Sequence, residues 1–163
     1  MTRRVFSLNN AWFVTALFTV LSVAATWPLA TRFTTEVAWD LGDPVFNCWV
    51  LMWTGGQVLR AMRGDWSALA DYWNGNIFYP ERLTIAYSEH LTPQMLQILP
   101  IYAATGNIVL CYNLLFLAAL VLSGLGMYLF IREITGQPVA AFVAGAAFAF
   151  APYRVDQYAH LQV

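Results

Sequence analysis

From Leu91 to Ile131 the chain carries no charged residue, and a second uncharged run extends from Val5 to Thr31. A core helix of a soluble domain has no need of so long a stretch. About 18 or more consecutive apolar residues are, by contrast, what a helix needs to cross a bilayer. Composition agrees: 60% of the residues are hydrophobic and 10% charged, against about 25% charged in an average soluble domain. The sequence therefore reads as an all-α integral membrane protein with about three transmembrane helices and a large external loop carrying interfacial helices. A net charge of -1 offers no basic surface for nucleic acid. Cys48 and Cys111 lack metal-ligand spacing and read as two buried free thiols in preference to a disulfide.

The first apolar segment, about 11–30, follows Arg3 and Arg4 and has Trp12 and Trp27 near its ends, the aromatic belt of a spanning helix. Its rival is a cleaved signal peptide, with Ala24 and Ala25 as the small residues. The run is long for a signal, which favours a retained anchor. Residues 31–91 form a loop holding most of the acids: Glu36, Asp40, Asp43, Asp65, Asp71, Glu81 and Glu89. Asp43-Pro44 has the form of a helix start, with Asp as cap and Pro in the first turn. Phe46, Trp49, Val50 and Trp53 then recur at the spacing of one apolar face, so 44–63 is expected to lie on the outer interface. Gly55-Gly56 weakens that helix. Asp65 is placed to cap a short helix over 66–72, Asn74-Gly75-Asn76 is turn chemistry, and 77–88 reads as extended.

Thr92-Pro93 opens a helix over 93–105 that contains Pro100, is too short to cross, and is expected to be re-entrant or kinked. Gly106-Asn107 ends it. A clean span follows over 108–131, where Ser123, Gly124 and Gly126 supply a small-residue face for close packing. Arg132-Glu133 and Gly136-Gln137-Pro138 form a turn, and the Ala- and Gly-rich stretch 138–153 is the third span. Long loops weigh little in the positive-inside rule, so Arg3 and Arg4 set the orientation. The N-terminus is then cytoplasmic, the 31–91 loop external, Arg132 inside, and 154–163 external again. Three or four helices rarely enclose a substrate path alone. The chain therefore reads as the N-terminal part of a longer protein, or as one half of an assembly with a partner subunit.

That topology brings two polar clusters to one outer face: the loop acids and the run from Tyr153 to Gln162. A carboxylate opposite an Arg and a His at a membrane surface suits a lipid-linked, phosphate-bearing substrate. Arg meets phosphate through paired hydrogen bonds. A carboxylate takes a proton from an attacking hydroxyl or holds a divalent cation.

At these residues a family likeness emerges. Asp40-Leu41-Gly42-Asp43-Pro44 with Trp49 and Trp53, Phe78-Tyr79-Pro80, Ala86-Tyr87-Ser88-Glu89-His90, Ala151-Pro152-Tyr153-Arg154 and His160-Leu161-Gln162 resemble the N-terminal part of bacterial polytopic membrane proteins of the GT-C glycosyltransferase superfamily. The resemblance covers nearly the whole chain after Thr31 and rests on scattered short motifs. It implies a multi-span fold in the cytoplasmic membrane with an acidic residue in the first external loop. It also implies a polyprenyl-phosphate sugar donor and transfer outside the cytoplasm. Members of this type are several times longer.

Asp40 and Asp43 are the candidate catalytic acids. Gly42 between them lets both reach one cation, although two oxygen ligands are a weak metal signal. The plain alternative for Asp43 is a helix cap, and for Asp40 an exposed loop acid. Candidate substrate-binding residues are Arg154, Glu89, His90, His160 and Gln162. Arg154 competes with an interfacial snorkelling role, and Glu89-His90 with a polar pair that ends the loop. Trp49 and Trp53 read as interface anchors before a sugar platform. There is no phosphate-cradling Gly loop, nucleophile elbow or zinc spacing. Two other functions compete with transfer: a non-catalytic membrane subunit that docks through its loop, and part of a lipid-linked-sugar transporter or flippase. The spans lack the buried charges that a transporter uses.

Overall fold

The computed structural model describes residues 7–161; Arg3, Arg4 and Gln162 lie outside them. Among the described residues there are six α-helices and no strand: α1 Ala11–Ala25, α2 Asp43–Met62, α3 Thr92–Thr105, α4 Ile108–Thr135, α5 Pro138–Ala149 and α6 Pro152–Asp156. Short 3-10 turns occupy Leu29–Thr31, Trp66–Leu69 and Thr84–Tyr87. The last of these, with left-handed Phe78 and Leu83, replaces the extended segment expected over 77–88.

Most helix ends are set by local chemistry. The side chains of Asn10 and Asn107 accept the N–H groups of Trp12 at 3.0 Å and Leu110 at 2.9 Å, satisfying donors that the first turn leaves open. Gly106 and Gly136 close α3 and α4 with φ of 63° and 68°, a conformation that glycine adopts at little cost. α4 continues to Thr135, so Arg132 and Glu133 are helical and the turn is only Gly136-Gln137. α1 is shorter than the expected 11–30 segment. It stops at Ala25, where the Thr26 hydroxyl folds back onto the Ser22 carbonyl at 2.8 Å.

Among the described residues two helical stretches are long and apolar enough to cross a membrane: Ile108–Thr135, with mean hydropathy 2.4, and Pro138–Asp156, with 1.3. Their outward faces are apolar. Leu122, Phe130 and Val143 are 62%, 60% and 60% exposed.

Two hydrophobic cores share α4. The first joins α1, the second half of α4 and α5 around Val14, Phe18, Tyr128 and Ala141. Phe18 rests on Gly124 and Gly145, and a Cβ on Gly145 would stand 2.6 Å from the Gly124 carbonyl oxygen. Gly124 thus fills its expected packing role, whereas Gly126 is exposed with no neighbour within 4 Å. The Tyr128 hydroxyl donates to the Leu8 carbonyl, and Arg132 Nη1 donates to the Asn9 carbonyl at 3.0 Å. These bonds tie the start of α1 to the end of α4.

The second core gathers α2, α3, the first half of α4 and the C-terminal segment around Leu51, Met95, Ile98, Tyr112, Phe116 and Leu161. Asn113 Nδ2 donates to the carbonyls of Phe33 and Glu36 at 2.8 Å each. The loop after α1, the start of α4 and the residues after α6 therefore meet at one end of the molecule. The α4–α5 turn and the start of α1 lie at the other.

α2 matches its expected limits, and its buried surface is wider than the expected apolar face. It runs unbroken through Gly55-Gly56. Val50 of that face is buried and Phe46 and Trp49 pack partly on the core, while Asn47, Cys48, Leu51, Thr54, Gly55, Gln57 and Ala61 are buried beside them. Phe46, Trp49 and Trp53 form a ladder of stacked rings, 5.7 and 6.4 Å between centroids. Their flank is taken by the chain's own loop: Trp49 Nε1 donates to Asn76 Oδ1 at 3.1 Å and Trp53 Nε1 to the Asp71 carbonyl at 3.2 Å.

At the far end of α2, Asp65 is not a side-chain cap. It accepts hydrogen bonds from Ser67 Oγ and from Arg60 Nε, the latter at 3.1 Å. The Ser67 hydroxyl first, and then Arg60, hold the Asp65 carboxyl below the usual carboxylate range. A carboxyl whose folded pKa is depressed adds stability above its unfolded pKa and loses it as pH falls through the folded value. Protection factors of the amides of residues 63–70, taken against their intrinsic exchange rates, are thus expected to fall on acidification below the ordinary Asp range. Asp65→Asn should remove that pH dependence and leave protection low throughout. An unchanged acid dependence in the variant would show that this pair does not hold the turn.

Candidate functional site

The site lies where the two cores adjoin, at the end of the molecule that gathers the loop acids. Asp40 turns the chain into α2: its Oδ1 accepts the Gly42 N–H at 2.8 Å. Gly42 occupies the cap position of α2 and makes no side-chain cap bond, and Asp43 is already the first helical residue. The cap reading of Asp43 therefore does not hold. Its carboxylate turns instead to the C-terminal segment, where Oδ2 lies 2.9 Å from His160 Nε2. Both side chains keep partial contact with solvent, His160 37% and Asp43 52% exposed.

Arg154 approaches from α6. Its Nη1 donates to Ser123 Oγ on α4 at 2.7 Å, and its guanidinium stands 4.6 Å from the centroid of the Phe148 ring. Ser123 thus acts as an Arg partner more than as a packing surface. Arg154 sits at the level where the two cores divide on α4, between Leu120 of one and Val121 of the other. Arg154 and His160 line a shared cleft with Phe116, Leu120 and Tyr158.

The remaining candidates stand apart from this group. His90 is engaged within its own loop. Its Nδ1 lies 2.8 Å from Thr92 Oγ1 and accepts the Thr92 N–H at 3.2 Å, and its ring meets Trp73 edge-on at 5.6 Å. Tyr72 completes this chain through a 2.7 Å contact with Thr92 Oγ1. The geometry gives His90 the work of bracing the start of α3. Glu89 is exposed beside it. Among the described residues no group of three or more His, Cys, Asp and Glu gathers as a metal-ligand set. Asp40 and Asp43 offer two carboxylates, each with one oxygen already engaged.

Behind the Asp43–His160 contact lies a feature that sequence reasoning missed. Asn47, one helical turn beyond Asp43, is 0% exposed, and neither its Nδ2 nor its Oδ1 has a hydrogen-bond partner. The hydroxyls of Tyr112 and Tyr158, His160 Nδ1 and Asn113 Oδ1 are also buried without partners. Each buried polar group left unpaired costs about 1–3 kcal/mol, and native proteins contain few of them. The one signal available beforehand was the helical spacing of Asn47 from Asp43. Cys48 and Cys111 are both free and buried. Burial, with Cys111 beside it, pushes the Cys48 thiol up to about 12, which leaves it inert as a nucleophile.

Comparison with family models, with curated proteins and with solved structures finds no match to this chain.

Proposed function

We propose that this chain forms the N-terminal part of a membrane glycosyltransferase of the GT-C type, which moves a sugar from a polyprenyl-phosphate donor to an external acceptor. The supporting observation is that Asp43 pairs with His160, and that His160 and Arg154 line one cleft beside the apolar helix layer. A lipid-linked headgroup likewise joins a charged phosphate to an apolar chain. In this reading α1, α4 and α5–α6 cross the cytoplasmic membrane, and the core around α2 and α3 stands outside it. The outward apolar residues Leu122, Phe130 and Val143 then face acyl chains.

The roles follow from charge. The guanidinium of Arg154 binds the donor phosphate and offsets the negative charge that grows there as the bond from the sugar anomeric carbon to phosphate oxygen breaks. The acceptor hydroxyl oxygen forms the new bond to that carbon, and its proton passes to the Asp43 carboxylate. His160 orients that carboxylate. Asp40 shapes the turn that presents Asp43. A divalent cation shared by Asp40 and Asp43 would lower the barrier to hydroxyl deprotonation.

A non-catalytic docking subunit is the second reading. It needs a free aromatic face on α2, and the bonds from Trp49 to Asn76 and from Trp53 to Asp71 argue against one.

The deciding experiment supplies membranes carrying the protein, expressed in its native reading frame, with a polyprenyl phosphate bearing a radiolabelled sugar. Label is expected to leave the lipid fraction, and Arg154→Gln to reduce the rate at least about 100-fold, as for loss of a transition-state charge donor. Label that stays on the lipid with every sugar offered would end this assignment.

A further inference from the structure

A second cavity, of about 200 Å³, stands where α1 gives way to the loop that follows it. Three aromatic residues, Trp27, Trp39 and Tyr158, line it together with one cation and one anion, Arg32 and Glu36. Tyr158 also lines the Arg154 cleft, so it divides the two spaces. The rings of Trp39 and Tyr158 stand at 80° with centroids 6.0 Å apart, like adjoining walls of a box. Arg32 Nη1 donates to both carboxylate oxygens of Glu36, at 3.1 and 3.0 Å, which leaves Nε and Nη2 to a further partner. The turn that carries this pair is fixed from behind. Asn107 Nδ2 donates to the Thr34 carbonyl at 3.0 Å, and Asn113 Nδ2 holds the carbonyls of Phe33 and Glu36. The cavity is thus pre-organised for a ligand. Folding does not account for its lining. Both charged side chains are more than half exposed, where an ion pair contributes little, and Trp27 and Trp39 are exposed as well.

The chemistry of the walls selects the ligand. Aromatic faces attract a cation, and boxes of such faces recognise ammonium groups. Glu36 can accept a hydrogen bond from an ammonium N–H, and Arg32 can meet a phosphate. The two protein charges sum to zero. A lone anion is opposed by Glu36 and a lone cation by Arg32, whereas a zwitterion lies antiparallel to the pair. The 200 Å³ equals the volume of roughly seven waters, the size of a headgroup and not of a whole lipid. Ala25 and Thr26, at the end of α1, complete the lining. In the membrane orientation given under Proposed function this is the outer bilayer surface, where Trp side chains lie among headgroups. We propose that the cavity binds the phosphoethanolamine headgroup of a membrane lipid, with the ammonium among Trp27, Trp39 and Tyr158 beside Glu36 and the phosphate at Arg32. Bound there, the lipid joins the end of α1 to the 32–39 turn and to the C-terminal segment. The proposal rests on that membrane orientation and not on sugar transfer.

The test titrates the full chain in detergent and reads binding from the rise in melting temperature. The probes are dihexanoyl phosphoethanolamine, dihexanoyl phosphoglycerol, free O-phosphoethanolamine and methyl glucoside. The phosphoethanolamine lipid is expected to bind the wild type about tenfold more tightly than the phosphoglycerol lipid, the worth of one charge-assisted hydrogen bond. Glu36→Gln should weaken the first about tenfold and strengthen the second, because the cavity then carries a net positive charge. Trp39→Leu should weaken the first about threefold or more, through loss of one aromatic face. Without probe both variants should melt close to the wild-type temperature. Equal binding of the two lipids by the wild type would overturn the site, as would phosphoethanolamine binding that ignores both substitutions. Methyl glucoside that displaces the lipid would overturn it in favour of a sugar platform. Free O-phosphoethanolamine that binds as tightly as the lipid would overturn the membrane as the source. Sugar transfer depends on other residues, so either proposal can fail without the other.

Discussion

Replacing Asp43 by Asn is expected to slow the proposed sugar transfer by a factor of about 100 to 10,000, the usual contribution of a positioned general base, while the chain stays folded. Asn keeps the shape and one acceptor oxygen but cannot take the proton. The carboxylate is 52% exposed, and ion pairs in such settings contribute about 0–1 kcal/mol to folding. Under the proposed assignment the loss should fall on kcat rather than KM, since that assignment gives the donor phosphate to Arg154. His160→Gln should cost only about tenfold, as the loss of one orienting hydrogen bond. Single-turnover transfer in membranes reads both numbers. An Asp43→Asn protein that retains more than about a tenth of the wild-type rate would show that the acid is not the base.

The largest effect on folding is expected at Gly145. A Cβ there would lie 2.6 Å from the Gly124 carbonyl oxygen, 2.7 Å from Phe18 Cζ and 3.3 Å from Tyr128 Cβ. The first of these is backbone and cannot turn aside. Overpacking usually costs about 1–3 kcal/mol and sometimes more. The two further methyl groups of Val enlarge the clash, so Gly145→Val should destabilise by about 3 kcal/mol or more. α5 would then be released from α4, detectable as a lower detergent melting point and as proteolysis between Gln137 and Ala151. Gly126→Ala, on the exposed side of α4, is the control. Nothing lies within 4 Å of its Cβ, and Ala is favoured over Gly inside a helix by about 1 kcal/mol. It should melt at or above the wild type. Equal behaviour of the two variants would refute the tight α1–α4–α5 contact.

These contrasts explain which parts of the fold are legible beforehand. The limits of α3 and the start of α4 depend on Pro93, Gly106 and Asn107, whose preferences act within one turn, so their positions in sequence locate those ends. The end of α4 lies at Thr135 and not at Ile131, because the charges of Arg132 and Glu133 end the apolar run while the helix continues to Gly136. The end of α1 was misread because hydropathy continues past Ala25 while the backbone does not. The face of α2 is legible only in part. Val50 is buried and Phe46 and Trp49 pack on the core, as the apolar spacing suggests, but the buried surface also carries Asn47 and Thr54, which a hydropathy pattern assigns to solvent. The alternating direction of the helices brings the Asp40–Asp43 loop and the Arg154–Leu161 segment to one end, as the order of apolar runs suggests. It does not say which acid meets which base. That Asp43 rather than Asp40 meets His160 depends on the turn held by Gly42. That His90 instead braces α3 depends on Thr92 and Tyr72.

α4 has one consequence for how lipid would enter the proposed chemistry. Its 28 residues make a rod about 42 Å long, against a hydrocarbon layer of about 30 Å. It serves both cores without a proline or a break, so no joint lies between them. In the proposed orientation the external core cannot change height independently of the bundle. Bilayer thickness then sets how far Arg154 rides above the acyl chains. A thicker membrane draws the guanidinium toward hydrocarbon and a thinner one lifts it into water, which makes the lipid a gauge of the site's reach.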